Sequence, residues 1–117
     1  MYHYVRDTAS DPWVRETGRA GVRALSPAQF RAQVEELCRT MEPIDWPRFY
    51  AWRKGRHSIA RRSFLLTFDD GLADHWRGVV PILESLGLRG TFFVPGVVLT
   101  GQHLLAAHAT QILLNVL

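Results

Sequence analysis

The chain has 117 residues, of which 47% are hydrophobic and 21% charged, and its formal net charge is +3. This is ordinary globular usage, and the length allows one small domain at most, because domains commonly contain about 100–150 residues. The single cysteine, Cys38, excludes an intramolecular disulfide, and no apolar run has the length of a transmembrane helix.

The first 43 residues predict a short strand, a loop and one clearly delimited helix. Residues 1–5 alternate like a strand with two different faces, and residues 8–25 lack periodicity and are predicted to form a loop. Ser26 and Gln29 have the spacing of a capping box, with a proline at the first helical position. The helix carries one apolar stripe that we expect to face the core: Phe30, Val34, Leu37, Cys38 and Met41.

Basic and aromatic residues are interleaved over residues 46–62. The members are Trp46, Phe49, Tyr50 and Trp52 with Arg48, Arg53, Lys54, Arg56, Arg61 and Arg62. Such a segment can bind nucleic acid through phosphate contacts and stacking, but a structural interpretation fits better. Asp45 can cap a short helix with Pro47 in its first turn and Gly55 after its end, turning the aromatic rings inward. We therefore expect no nucleic-acid partner.

Residues 64–95 predict a strand, a helix and a second strand. The apolar run at 64–68 suits a strand buried on both faces, and a second run lies at 91–94. Between them, Asp74 is expected to cap a helix that Pro81 kinks or splits and that ends at one of two glycines. One helix face is apolar, formed by Val79, Ile82, Leu83 and Leu86. Such a βαβ unit implies a parallel sheet and an α/β fold.

Two acids and a glycine follow the first of these strands. Asp69 and Asp70 lie at its carboxyl end, where parallel sheets and barrels bind ligands, and Gly71 lets the backbone turn sharply. Paired carboxylates shift each other's protonation, so that one can hold a cation while the other transfers protons. The alternative is that both are only turn and capping residues, and the residues alone do not decide between the two.

The segments LLTFDDG, ILESLGLRG and TFFVP closely resemble the polysaccharide deacetylases, the NodB homology domain of carbohydrate esterase family 4. The resemblance implies a partial (β/α) barrel, with residues 1–117 as the incomplete amino-terminal part, because a whole barrel needs about 200 residues or more. It also implies a hydrolase that removes acetyl groups from an N-acetylated polysaccharide or oligosaccharide. In that reaction Asp69 would be the general base and Asp70 a ligand of a divalent metal, usually zinc.

The histidines leave alternatives open. The family's second motif, H-[ST]-x-x-H, supplies two metal ligands, whereas His103 and His108 are five apart and lie roughly 140° from each other on a helix. The chain is therefore expected to be part of a metal-dependent deacetylase or a catalytically inactive fragment that at most binds metal or another chain. His3 lies in a Tyr-His-x-Val segment similar to one of the family, which would face the sugar, yet a structural role is favoured. His75 either touches substrate or faces solvent.

The tail at residues 101–117 is predicted to be a helix, and residues 112–117 are almost wholly apolar. Left uncovered, this tail is expected to promote self-association or poor solubility. The first residues, MYHYVRDTASD, lack the apolar segment of a signal peptide, so the chain as it stands is expected in the cytoplasm. The family that it resembles acts mostly at or outside the cell envelope.

Overall fold

A computed structural model describes residues 1–10, 12–17, 23–101 and 105–116, in which helices pack against short parallel strands. The elements in chain order are a 3₁₀ turn (Thr8–Ser10), α1 (Pro12–Thr17), α2 (Pro27–Thr40), β1 (Glu42–Ile44), α3 (Trp46–Arg53), β2 (Ser63–Leu65), β3 (Thr67–Phe68), a π-helical turn (His75–Val79), α4 (Val80–Ser85), β4 (Thr91–Phe92), α5 (Gly96–Leu99) and α6 (Ala106–Val116). The predicted α/β class is confirmed. Among the helices of these ranges, none is long and apolar enough to cross a bilayer.

The strands pair in parallel, β1 with β2 and β3 with β4. The strand predicted at 64–68 is present as β2 and β3, with a break at Leu66. On the side of β3 away from β4, Tyr2 forms a parallel bridge to Phe68, and its amide donates to the Thr67 carbonyl at 2.9 Å. The amino-terminal segment and β4 therefore flank β3, whose carboxyl end leads directly into the two acids.

The predicted βαβ unit is confirmed, because β3 and β4 are parallel neighbours joined by the π-helical turn and α4. The predicted split also occurs, since π geometry gives way to α geometry at Val80. Pro81 lies in the first turn of α4, where an amide hydrogen would have no partner within the helix. Gly87, with a φ of 65°, ends the helix.

The core lies between α2, the helical crossover and the inner face of β3. Its buried side chains are Val5, Phe30, Val34, Leu66, Phe68, Val79, Ile82 and Leu83. The capping box of α2 is confirmed: the Gln29 amide donates to Ser26 Oγ at 3.1 Å, and the Ser26 amide donates to Gln29 Oε1 at 2.9 Å. This core anchors β3 and so fixes the place of the acids that follow it.

The helix α3 begins and ends as predicted, but of its aromatic side chains only Phe49 is half-buried, and the others do not turn inward. Asp45 Oδ1 accepts a hydrogen bond from the Arg48 amide at 3.0 Å, and Gly55 follows the helix with a φ of 69°. No residue of α3 is buried, and Trp46 and Tyr50 are exposed. The capping residues fix where the helix lies in the chain, whereas its packing depends on segments distant in sequence.

Three further local predictions are wrong. Cys38 is exposed, since the buried residues of α2 are Phe30 and Val34, at the amino-terminal end of the apolar stripe. The loop predicted at 8–25 contains the helix Pro12–Thr17, which begins at a proline, a favoured first helical residue. Asp74 does not cap, because its backbone is already helical, and its Oδ2 instead accepts a hydrogen bond from Arg6 Nε at 2.7 Å.

Candidate functional site

The two predicted acids lie directly after β3, and the backbone turns sharply at the second. Asp70 has a φ of 79°, and no other non-glycine residue of the described ranges has a positive φ. This left-handed conformation costs a residue with a side chain about 1–2 kcal/mol, although aspartate tolerates it better than most. Gly71 continues the turn with a φ of 62°, and a Cβ there would lie 2.8 Å from Val94 Cγ1. The acids are thus held where the chain bends against the end of β4.

Two histidines from distant parts of the chain lie beside Asp70. His108 of α6 has its Nε2 atom 3.1 Å from Asp70 Oδ2, and His3 has its Nε2 atom 3.7 Å from the same oxygen. The side chain of His108 is only 14% exposed, and its ring lies 5.4 Å from that of Tyr4. The shorter contact is a hydrogen bond in which the imidazole donates to the carboxylate. The structure thus places His3 beside Asp70, which is compatible with both interpretations of this residue.

His75 lies behind the site and supports it. It is 4% exposed, with its ring 5.5 Å from that of Phe68 and 5.7 Å from that of Phe92. Its Nε2–H donates to the carbonyl of His3 at 2.8 Å, while its Nδ1 atom has no partner in the described part of the chain. Both sequence interpretations of His75, substrate contact and solvent exposure, are therefore wrong. Its hydrogen bond fixes the main chain of the residue that faces Asp70.

Tyr4 adds a polar group that sequence reasoning did not assign to the site. Burial raises the pKa of its hydroxyl, and Arg6, whose guanidinium lies 5.3 Å from the ring, opposes that rise. The carboxylates of Asp70 and Asp74 raise the pKa further. The hydroxyl therefore stays protonated and able to donate at neutral pH. The signal for it in the sequence is the alternation of residues 1–5, which is too short to indicate which face meets the acids.

The side chains around Asp70 are of the types that bind zinc, which takes imidazole nitrogens and carboxylate oxygens. Across residues 1–10, 12–17, 23–101 and 105–116, however, no group of three His, Cys, Asp or Glu side chains has an arrangement that could hold a metal ion. His103 lies outside the described residues. In the described part of the chain, Asp70 and the two histidines beside it therefore do not form a complete metal site.

Residues 56–112 match the model of a family described as polysaccharide deacetylase. The match includes β3, both acids, the helical crossover, β4 and His108. The resemblance to the polysaccharide deacetylases is confirmed. A search of curated proteins gives no match.

Two solved structures resemble the chain in fold. One is a de-N-acetylase from Aggregatibacter actinomycetemcomitans, with a TM-score of 0.61 and 22% identity over 78% of this chain and 34% of that one. Another is the Streptococcus pyogenes deacetylase PplD in complex with acetate, with a TM-score of 0.64 and 23% identity over 87% of this chain and 44% of that one. The chain spans less than half of either structure, and at these identities the likeness concerns the fold alone.

Proposed function

We propose that this chain carries part of the active site of a carbohydrate deacetylase, a hydrolase that removes acetyl groups from N-acetylated sugars of a polysaccharide or oligosaccharide. The observation that carries the proposal is the acid pair at the carboxyl end of a parallel strand, with Asp70 in a left-handed conformation. Strained residues of this kind cluster at functional sites. The pair lies inside the segment that matches the deacetylase family.

We assign the two acids different roles. Asp69 is the general base that accepts a proton from the attacking water, and such a group typically accelerates a reaction by about 10²–10⁴-fold. Asp70 is a ligand of a divalent metal, most suitably zinc, which when bound polarises an amide carbonyl and acidifies water. His108 donates to Asp70 Oδ2 and so orients this carboxylate.

We further propose that residues 1–117 form the amino-terminal part of a (β/α) barrel of the NodB type. Parallel strands joined by a helical crossover support this arrangement, as do the TM-scores of 0.61 and 0.64 against much longer chains. The rest of such a barrel would supply the remaining substrate contacts.

A catalytically inactive fragment that binds metal or another chain is the second candidate. The hydrogen bond from His108 favours the inactive fragment that binds another chain, because this bond occupies the Asp70 oxygen that a metal would need. The two candidates differ in whether the chain turns over substrate.

The test is release of acetate from an N-acetylated chitooligosaccharide, measured with added zinc and again with a chelator. A deacetylase releases acetate only with the metal, and Asp70→Asn abolishes the response to zinc. Glu84→Gln, on the exposed surface of α4, is the matched control and leaves release unchanged. Zinc-independent release, or none from folded protein, would reject the first proposal.

A further inference from the structure

Four aromatic rings form a continuous row on the surface of the molecule. The ring centroids of Trp52 and Phe49 are 5.8 Å apart, those of Phe49 and Trp46 5.5 Å, and those of Trp46 and Phe93 6.0 Å. We call these four residues the aromatic row. Both tryptophans are 42% exposed and Phe93 is 46% exposed. Contiguous apolar surface of this kind usually marks a binding site.

One end of the aromatic row lies beside the candidate site. Phe93 directly follows β4, and its amide donates to the carbonyl of Phe68 at 2.8 Å. Because Phe68 is paired with Phe92 in a parallel register, Phe93 comes level with Asp69 on the neighbouring strand. Trp46 begins α3, directly beyond β1. The row therefore starts one strand away from the proposed general base and continues along α3.

Two arginines near the Trp46 end of the row are paired with carboxylates, which favours a neutral ligand at that end. Arg48 Nη1 lies 2.6 Å from Glu42 Oε1, and Arg89 Nη1 lies 3.6 Å from Asp45 Oδ2. At this end, which is the end beside the acids, the carboxylates would repel phosphates, so nucleic acid is a poor occupant there. The same paired groups can exchange hydrogen bonds with the hydroxyl groups of a sugar.

We infer that the aromatic row is a subsite that stacks successive sugar rings of the oligosaccharide whose acetyl group lies at Asp69. The inference rests on the proposed function, since it specifies how the substrate of that site is held. A pyranose ring has an apolar face of C–H groups, and the hydrogen atoms of these groups are attracted to the negative face of an aromatic ring. A row of rings fits an extended chain of sugars better than one monosaccharide.

Binding is measured by titrating the protein with an N-acetylated chitooligosaccharide in the presence of a chelator, with intrinsic tryptophan fluorescence as the signal. Trp46→Ala and Phe93→Ala are each expected to raise Kd about tenfold, because each removes one stacking surface. Trp46→Phe keeps a ring and restores most of the affinity. Trp76→Ala is the matched control, since Trp76 is 75% exposed on the π-helical turn, and leaves Kd unchanged.

Circular dichroism identifies any variant that does not fold. If an alanine variant does not fold, the Kd of Trp46→Phe is compared with the Kd of Trp76→Phe, which makes the same change of ring size outside the row. An unchanged Kd in folded Trp46→Ala and Phe93→Ala overturns the inference. It is also overturned if the oligosaccharide does not bind while Trp46→Ala abolishes self-association, or abolishes binding of single-stranded DNA. If Trp46→Ala and Phe93→Ala weaken binding of the oligosaccharide but the wild-type chain releases no acetate, the proposed function alone is rejected. Release with the same KM in Trp46→Ala rejects the subsite alone.

Discussion

Replacing Gly71 by alanine tests the turn that holds the two acids. The residue has a φ of 62°, and an added Cβ would lie 2.8 Å from Val94 Cγ1. Gly55 offers a matched control, because its φ is 69° and a Cβ there would meet no atom within 4 Å. The two substitutions therefore share the backbone strain and differ in the contact with Val94.

The expected magnitudes follow from these two terms. Left-handed backbone strain costs an alanine roughly 1–2 kcal/mol, and both variants bear it. Overpacking adds about 1–3 kcal/mol in a filled core, and we expect the lower end here because the exposed Val94 side chain can rotate. Gly71→Ala should thus lose about 1 kcal/mol more unfolding free energy than Gly55→Ala.

Urea denaturation followed by circular dichroism measures both free energies. Adding Val94→Ala to Gly71→Ala removes the close contact and should recover the difference between the two glycine variants. If Gly71→Ala is no less stable than Gly55→Ala, the tight approach between the acid turn and the end of β4 is refuted.

Two other predictions concern pH and association. Burial raises the pKa of both Tyr2 and Tyr4, so the stability that their neutral hydroxyls contribute is complete below about pH 10 and is lost as pH rises through the folded-state pKa. Denaturation midpoints measured from pH 8 to 11 should fall less steeply in Tyr4→Phe, and an identical slope would contradict the burial of this hydroxyl. Leu113 and Leu114 of α6 are 60% and 71% exposed, so Leu113→Glu with Leu114→Glu should reduce self-association in light scattering. A wild-type chain that is monomeric at high concentration would contradict the sequence prediction for this tail.

Local signals predicted the parts of the fold that depend on neighbours in sequence. The capping box at Ser26 and the cap at Asp45 place two helix starts, because these side chains bond to amides three residues away. The βαβ unit at 64–95 follows from two apolar runs separated by a helical pattern. Its parallel pairing follows from the length of the crossover.

Contacts between distant segments are what the sequence did not predict. His3 and His108 both lie beside Asp70, yet they come from opposite ends of the chain, and no periodicity links them. Their placement depends on the bridge from Tyr2 to β3 and on where α6 docks. The exposed aromatic row was not predicted for the same reason. The sequence of α3 alone does not show which of its rings other segments of the chain bury.

The proposed function depends most directly on Asp69 acting as the base of a deacetylation reaction. The decisive measurement is the rate of acetate release from an N-acetylated chitooligosaccharide by the Asp69→Asn variant and by the wild-type chain, both with zinc. We expect the substitution to lower kcat by about 100-fold or more while Kd for the oligosaccharide changes little. Equal rates in the two proteins would contradict the role of Asp69 and with it the proposed function.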